Sequence, residues 1–142
     1  MGKIVVGVDG SETALRALRW AVEEGRLRNW TVEAVHAWSY PYAGGTELMP
    51  VSIDLSMIES TARRVLDDSV DAEDGSGLPS PVKRTLLNEG TARALIDASK
   101  DADMLVVGSR GRGGFTGLLL GSVSQSVLHH ALCPVVVVPA AG

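Results

Sequence analysis

Five short apolar runs alternate with four segments of helical periodicity, and this alternation constrains the fold of the chain more than any other feature. The runs are rich in β-branched residues, which favour strands. The predicted strands cover residues 3–8, 30–38, 82–87, 103–107 and 135–138. The predicted helices cover residues 11–28, 52–71, 90–100 and 123–132, where apolar side chains recur at helical spacing. Ser11 is the predicted N-cap of the first helix, which is expected to end near Arg28 and Asn29. The apolar face of the second helix is predicted to lie in the core and consists of Ile53, Met57, Ile58, Ala62, Val65 and Leu66.

A repeated order of strand, helix and strand is typical of an α/β protein whose parallel sheet carries helices on both faces. The length of 142 residues fits one such domain, so residues 1–142 are predicted to form a single unit. In open sheets of this kind, ligands bind beyond the carboxyl ends of the strands, where the strand order reverses. We expect the first and fourth strands to flank that point, which would bring Asp9 and Gly108 into one crevice.

The connection between the fourth strand and the fourth helix is rich in glycine. Residues 108–121 contain six glycines, among them Gly108, Gly111 and Gly121. Glycine lets backbone N–H groups approach a ligand closely, and a helix N-terminus attracts anions. Ser122 and Ser124 add hydroxyl donors at the start of the helix. We interpret the segment as a phosphate-binding loop; a purely architectural loop is the alternative.

Two arginines in this loop, Arg110 and Arg112, add positive charge near the predicted phosphate site. The loop lacks the Gly-Lys-Ser/Thr ending of a P-loop. It also follows the fourth strand, whereas the dinucleotide-binding fingerprint follows the first. The sequence therefore predicts a phosphate site that differs from both.

Asp9 lies at the end of the first predicted strand. Its carboxylate can accept a hydrogen bond from a ribose hydroxyl or coordinate a metal ion. The alternative is that it stabilises the start of the first helix, where a negative charge is favoured. The position next to the predicted phosphate loop favours a role in ligand binding.

The end of the second strand is a candidate base-binding element. Backbone groups of Ala37 are predicted to contact an adenine edge, with Trp38 or Tyr40 near the base. His36 is interpreted as a hydrogen-bonded side chain at a strand end. The irregular segment 39–50, which contains two prolines and two glycines, is a candidate cover for the site.

Charge and composition exclude several classes of function. A net charge of −4 argues against general nucleic-acid binding. The single cysteine, Cys133, is predicted to be a small buried apolar residue, and no internal disulfide can form. Adjacent helical residues point about 100° apart, so His129 and His130 are not a ready metal pair. We expect neither a protein-held metal nor a catalytic residue.

The targeting features of the sequence are few. The first predicted strand follows Met1 almost directly, with no basic and apolar leader before it. The apolar runs are shorter than the roughly 20 residues that a membrane helix needs. We therefore expect a cytoplasmic protein without a membrane partner.

The last predicted strand is short, apolar and expected at a sheet edge. An exposed apolar edge promotes association unless something covers it. Pairing with a second copy about a two-fold axis would cover it. We therefore predict a homodimer through Val135, Val136, Val137 and Val138.

The chain resembles the universal stress protein family, in its ATP-binding branch, from the opening KIVVGVDGS to the closing CPVVVVP. The nucleotide motif of that family is Gly, two residues, Gly, nine residues, then Gly-Ser or Gly-Thr. Gly108, Gly111, Gly121 and Ser122 match it without a gap. The resemblance implies a Rossmann-like, adenine nucleotide α-hydrolase-like fold with strand order 3-2-1-4-5, and a homodimer through strand 5.

The resemblance also implies ATP, with Mg²⁺, between the ends of strands 1 and 4. It places Val8 and Ala37 against adenine, and Asp9 on the ribose or adenine side. Gly108, Arg110 and Gly111 would line the ribose and α-phosphate. The residues implied at the β- and γ-phosphates are Gly121, Ser122, Val123 and Ser124.

These features lead us to expect a nucleotide-dependent regulatory dimer of the stress response, with an unidentified protein partner. Because no general base is evident, we expect no enzyme, or at most a weak ATPase. One alternative is a nucleotide-free stress or scaffold protein that acts through its dimer surface. Another is a protein that binds a different adenine ligand, such as cyclic AMP.

Overall fold

Strands and helices alternate throughout residues 1–39, 54–110 and 120–140, which are the residues that the computed structural model describes. The strands are β1 (Lys3–Gly7), β2 (Thr31–Trp38), β3 (Lys83–Asn88), β4 (Met104–Gly108) and β5 (Val135–Val138). The helices are α1 (Glu12–Arg28), α2 (Leu55–Asp71), α3 (Thr91–Ser99) and α4 (Ser122–His130).

The five strands form one parallel sheet with the order β3-β2-β1-β4-β5. This confirms the predicted fold class and strand order. β1 is central, paired with β2 on one side and with β4 on the other. The carboxyl ends of β1 and β4 therefore lie side by side, as expected from the alternating pattern.

Each central strand buries both of its faces, which explains its nearly continuous apolar sequence. Ile4 and Val6 of β1 pack with α1 and α2, whereas Val5 packs on the opposite face among residues of α3 and α4. Leu66 of α2 and Leu95 of α3 are among the largest fully buried side chains. The helices thus cover the two faces of the sheet in pairs.

Local capping determines where α1 begins and ends. The Ser11 hydroxyl accepts a hydrogen bond from Ala14 N at 3.2 Å, as its predicted N-cap role requires. Asn29 ends the helix in the left-handed conformation, with φ of 57°, and its N–H donates to Gly25 O. Both ends agree with the sequence prediction.

Two helix ends differ from the prediction. α2 begins at Leu55 rather than at residue 52, because Asp54 is extended and its carboxylate accepts from Ser56 N at 3.0 Å. α4 ends at His130 rather than at residue 132, because Ala131 is extended, with ψ of 148°. The next N–H, that of Leu132, donates instead to Ser99 Oγ at 3.0 Å.

The first turns of α2 also pack differently from the prediction. Helical periodicity placed Met57 in the core, but it is 66% exposed. Ala62 and Leu66, further along the same helix, are buried as predicted. Among the described helices, none has the length and apolar character needed to span a membrane.

Candidate functional site

The turn between β1 and α1 places Asp9 at the carboxyl end of the sheet. Val8 N donates to Val35 O at 2.9 Å, which extends the contact with β2 by one residue beyond the strand. Gly10 then turns the chain with φ of 82°, a conformation that favours glycine. Asp9 Oδ1 accepts from Ser11 N at 2.9 Å. The carboxylate therefore orders the turn into α1, and it also lines a cleft described below.

Gly108 is required by packing as well as by any ligand. A Cβ atom at this position would lie 2.6 Å from Thr13 Cγ2 and 3.1 Å from the backbone carbon of Thr13. The absence of a side chain lets the first turn of α1 pack directly against the end of β4. The sequence pattern predicted only ligand approach for Gly108. Its structural role could not be predicted, because the contact joins residues that are distant along the chain.

The start of α4 is anchored to the ends of two strands. Gly121 N donates to Ser109 O at 2.7 Å, and Ser109 N donates to Val138 O at 2.8 Å. The Ser124 hydroxyl donates to Gly108 O at 2.6 Å, and Ser124 is only 3% exposed. A hydroxyl carries a single hydrogen. While that bond holds, the group by which Ser124 can donate to a ligand is its backbone N–H.

Among the described residues, no side chain caps the N-terminus of α4. Its N-cap residue, Gly121, is extended, with φ of −74° and ψ of 169°. The N–H groups of Ser122, Val123 and Ser124 belong to the first turn, where the helix itself supplies no acceptors and the dipole is positive. This end of α4 therefore suits an anion.

Several predicted contacts can be placed only in part. Arg110, two residues beyond β4, is half-buried, and it forms an interaction within the protein. Gly111, Arg112 and Tyr40 lie outside the described residues, as does most of segment 39–50. Their predicted roles stay predictions.

The end of β2 extends past the end of β1. The β1–β2 register stops at the pair Gly7 and Val35, whereas β2 continues to Trp38. In a parallel sheet, alternate residues of a strand direct both of their backbone polar groups to the same neighbouring strand. Ala37, two residues after Val35, therefore directs its N–H and C=O to the side of β1, beyond the last β1 residue.

His36 has the hydrogen bond that its interpretation as a strand-end side chain requires. Its Nδ1 lies 2.8 Å from Val8 O. Because a carbonyl oxygen only accepts, Nδ1 carries the hydrogen in this contact. The bond joins the chain just beyond β1 to the end of β2, next to Ala37, the predicted base-binding residue.

A cleft of about 430 Å³ opens between the end of β2 and the beginning of α2. Its apolar walls are formed by Trp38, Met57, Ile58, Ala62 and Val65, and its polar groups come from Asp9, His36 and Thr61. Apolar walls with a few polar groups are typical of small-molecule sites. The sequence predicted Trp38 near a base, but not the contribution of α2, whose apolar residues had all been attributed to the core.

The remaining candidate ligands and nucleophiles are the histidines, the cysteine and the acidic side chains. Within the described ranges, no group of three or more His, Cys, Asp or Glu residues is placed to hold a metal. The rings of His129 and His130 are 6.3 Å apart and tilted by 59°. Cys133 is only partly buried, whereas the sequence predicted a buried residue. This partial burial, together with the nearby charge of Asp103, raises the pKa of the Cys133 thiol, which favours its neutral form.

Sequence comparison gives one consistent result. The family model described as "Universal stress protein family" matches residues 1–139. The chain is 38% identical over 135 residues to universal stress protein Rv2005c of Mycobacterium tuberculosis, covering 94% of this chain and 44% of that protein. It is 37% identical over 139 residues to Rv2623 of the same organism, covering 95% and 46%. The chain therefore spans less than half the length of these relatives.

Structure comparison agrees with this result. UspA from Lactobacillus plantarum superposes with a TM-score of 0.80 at 22% identity, covering 96% of this chain and 97% of that one. A universal stress protein from Archaeoglobus fulgidus in complex with dAMP gives 0.68 at 29% identity, covering 97% and 98%. Another universal stress protein, in complex with cAMP, gives 0.71 at 24% identity and covers 96% of both chains.

Proposed function

The chain belongs to the universal stress protein family, and we propose that it binds an adenine nucleotide, ATP in particular, at the carboxyl ends of β1 and β4. The observation that carries the proposal is that two unlike elements lie at the same edge of the sheet. One is the overhanging end of β2, which has backbone groups beyond β1. The other is the N-terminus of α4, whose N-cap, Gly121, brings no capping side chain.

The overhanging end of β2 suits the base. Adenine presents an acceptor, N1, next to a donor, the 6-amino group. Ala37 directs a donor and an acceptor, its N–H and C=O, to the space beyond β1, so the two edges are complementary. The nearby cleft offers apolar surface from Trp38 and α2. Asp9, two residues beyond β1, is the side chain assigned to the ribose in this arrangement.

The start of α4 suits the phosphates. Ser122, Val123 and Ser124 supply backbone N–H groups at the positive end of the helix. The Gly121 N–H donates to Ser109 O, so Gly121 would contribute by letting a phosphate approach the start of the helix closely. A bound Mg²⁺ would neutralise part of the phosphate charge, and it needs few protein ligands because it retains water. The dAMP and cAMP complexes of related proteins support an adenine ligand here.

We further propose that the protein acts as a regulatory dimer and hydrolyses ATP slowly at most. The two edges of the sheet differ in a way that favours pairing through β5. The β3 edge exposes Lys83 and Arg84, and charged residues discourage pairing of an edge strand. The β5 edge consists of four valines, three of them only partly buried. A two-fold pairing of β5 would cover that apolar edge.

Titration calorimetry of nucleotide-stripped protein tests the proposal, with ATP in the presence and absence of Mg²⁺, then with ADP and cyclic AMP. We expect binding with a preference for ATP. Tighter binding of cyclic AMP than of ATP would favour cyclic AMP as the ligand, which is bound in one related complex. Absence of binding to every adenine nucleotide would refute the proposal and favour a scaffold role.

The variant Gly121→Asp provides the matched test of the phosphate site. It adds bulk and negative charge at the N-cap of α4 and should abolish ATP binding while the fold is retained. Gly90→Asp is the control, because Gly90 is the N-cap of α3, a helix of the same nine-residue length, and open space surrounds its missing Cβ. Aspartate is favoured at N-caps, so both variants should fold. ATP affinity of Gly121→Asp equal to that of the wild type would contradict the proposed phosphate site.

A further inference from the structure

The hydrogen bond of His36 fixes the chemistry of its second ring nitrogen. Nδ1 donates to Val8 O at 2.8 Å. A neutral imidazole carries one hydrogen, so Nε2 is then an acceptor. Since Val8 precedes the turn at Asp9, the contact also holds the ring at the end of the sheet where the nucleotide is proposed to bind.

The second nitrogen of His36 faces accessible space. In the described part of the chain, every buried side-chain nitrogen or oxygen has a hydrogen-bond partner. Among the same residues, the His36 ring bonds only to Val8. Nε2 is therefore not among the buried atoms. Because His36 lines the cleft between β2 and α2, this is the space that its acceptor can reach.

The polar groups of the cleft select for a ligand with hydrogen-bond donors. The Asp9 carboxylate and His36 Nε2 are both acceptors, and the Thr61 hydroxyl can serve in either role. Among the described residues of the apolar walls, Trp38 carries the remaining side-chain polar group, its indole N–H. A flat base with an exocyclic amino group satisfies this arrangement, whereas a base with an oxo group at that position does not.

We infer that His36 is a specificity-determining residue whose Nε2 accepts from the 6-amino group of adenine. This inference rests on the proposed nucleotide function. An amino group has two hydrogens: the Ala37 carbonyl takes one and His36 takes the other. Ala37 and His36 are adjacent in β2, so both acceptors belong to the same end of the strand. A 6-oxo base would instead place an oxygen lone pair against the lone pair of Nε2.

Two substitutions test the roles of Nδ1 and Nε2 separately. His36→Asn retains an amide that can donate to Val8 O in place of Nδ1, but it has no group at the position of Nε2. His36→Gln places an amide oxygen near the position of Nε2, but gives up the bond to Val8. A purely structural role of His36 requires the first variant to behave like the wild type and the second to be the more perturbed one.

Calorimetric titrations with ATP and with purine riboside 5′-triphosphate, which has hydrogen in place of the 6-amino group, provide the measurement. In the wild type, ATP should bind more tightly. In His36→Asn, the ratio of the two dissociation constants should fall by roughly fivefold, the value of one net hydrogen bond. His36→Gln should retain most of the wild-type ratio. Inosine triphosphate, the 6-oxo analogue, should gain affinity relative to ATP in His36→Asn.

The outcomes distinguish this inference from the function on which it rests. A ratio in His36→Asn equal to that of the wild type overturns the role of Nε2, while ATP binding by the wild type leaves the proposed function standing. Failure of the wild type to bind any of these nucleotides overturns both. If His36→Asn does not fold, His36→Gln decides alone: a retained ratio supports the inference, and a lost ratio overturns it.

Discussion

Removing the hydroxyl of Ser124 should destabilise the protein, whereas removing that of Ser122 should leave its stability nearly unchanged. The two serines lie in the first turn of α4 and carry the same side chain. Ser124 is 3% exposed and donates to Gly108 O at 2.6 Å, while Ser122 is exposed. Alanine substitution of the two serines therefore compares the loss of a buried, hydrogen-bonded hydroxyl with the loss of a solvent-exposed one in the same helix turn.

The expected cost of Ser124→Ala follows from its hydrogen bond. A net hydrogen bond contributes about 1 kcal/mol, and a buried acceptor left without its donor raises the cost to about 1–3 kcal/mol. For a domain of this size, 1 kcal/mol lowers Tm by roughly 3–5 °C. We expect Ser124→Ala to lower Tm by about 3–15 °C. Ser122→Ala should change the free energy of unfolding by less than about 0.5 kcal/mol.

Thermal and urea unfolding of both variants provide the assay, followed by ATP titration at a temperature where both are folded. Affinity for ATP should fall more in Ser122→Ala, whose hydroxyl is open to a phosphate, than in Ser124→Ala, whose hydroxyl is already donated. Equal unfolding free energies for the two variants would refute the assignment of the Ser124 hydroxyl to Gly108. A selective loss of ATP affinity in Ser124→Ala would show that its hydroxyl leaves Gly108 for the ligand.

Three further predictions concern the rest of the fold. Val136→Lys places a charge on the β5 edge and should shift the protein towards monomer in sedimentation velocity; an unchanged dimer would place the interface elsewhere. Ser99→Ala removes the acceptor of the Leu132 N–H and should cost about 1–3 kcal/mol in urea unfolding, with a change below about 0.5 kcal/mol counting against this bond. Burial opposes ionisation of Glu33, but hydrogen bonds from Thr85 and Lys3 outweigh it and lower the pKa of the carboxyl. The ionised Glu33 therefore stabilises the fold at neutral pH, and this contribution is lost as pH falls through the folded-state pKa. Thr85→Val should lower the free energy of unfolding more at pH 7 than at about pH 3. Equal losses at the two pH values would contradict this account.

The fold could be predicted almost completely because strand composition, helical periodicity and helix capping all indicate the same elements. Residues 4–6 and 104–107 are apolar without interruption, as is typical of strands buried on both faces. Ser11 and Asn29 mark the ends of α1 by their own capping chemistry. The end of α4 was predicted wrongly because a contact distant in sequence, the bond from the Leu132 N–H to Ser99, forms there. The start of α2 was predicted wrongly because the local cap at Asp54 was not recognised.

The candidate site could be predicted only in outline. Sheet topology alone brings Asp9 and Gly108 to one edge of the sheet, and the alternating pattern of strands and helices predicted that topology. The commitment of the Ser124 hydroxyl could not be predicted, because nothing in its spacing distinguishes a bond to Gly108 from a bond to a ligand. Met57 was misplaced for a related reason: helical periodicity identifies an apolar face, but not whether that face meets a core or an open cleft.

Gly108 affects how experiments on this site should be interpreted. An added Cβ would lie 2.6 Å from the side chain of Thr13, so Gly108→Ala forces Thr13, in the first turn of α1, to move. A mutational scan that scores nucleotide binding therefore registers this packing change at Gly108, whether or not its backbone ever contacts a nucleotide. Gly121→Asp, compared with Gly90→Asp at an equivalent helix start, tests the ligand more directly.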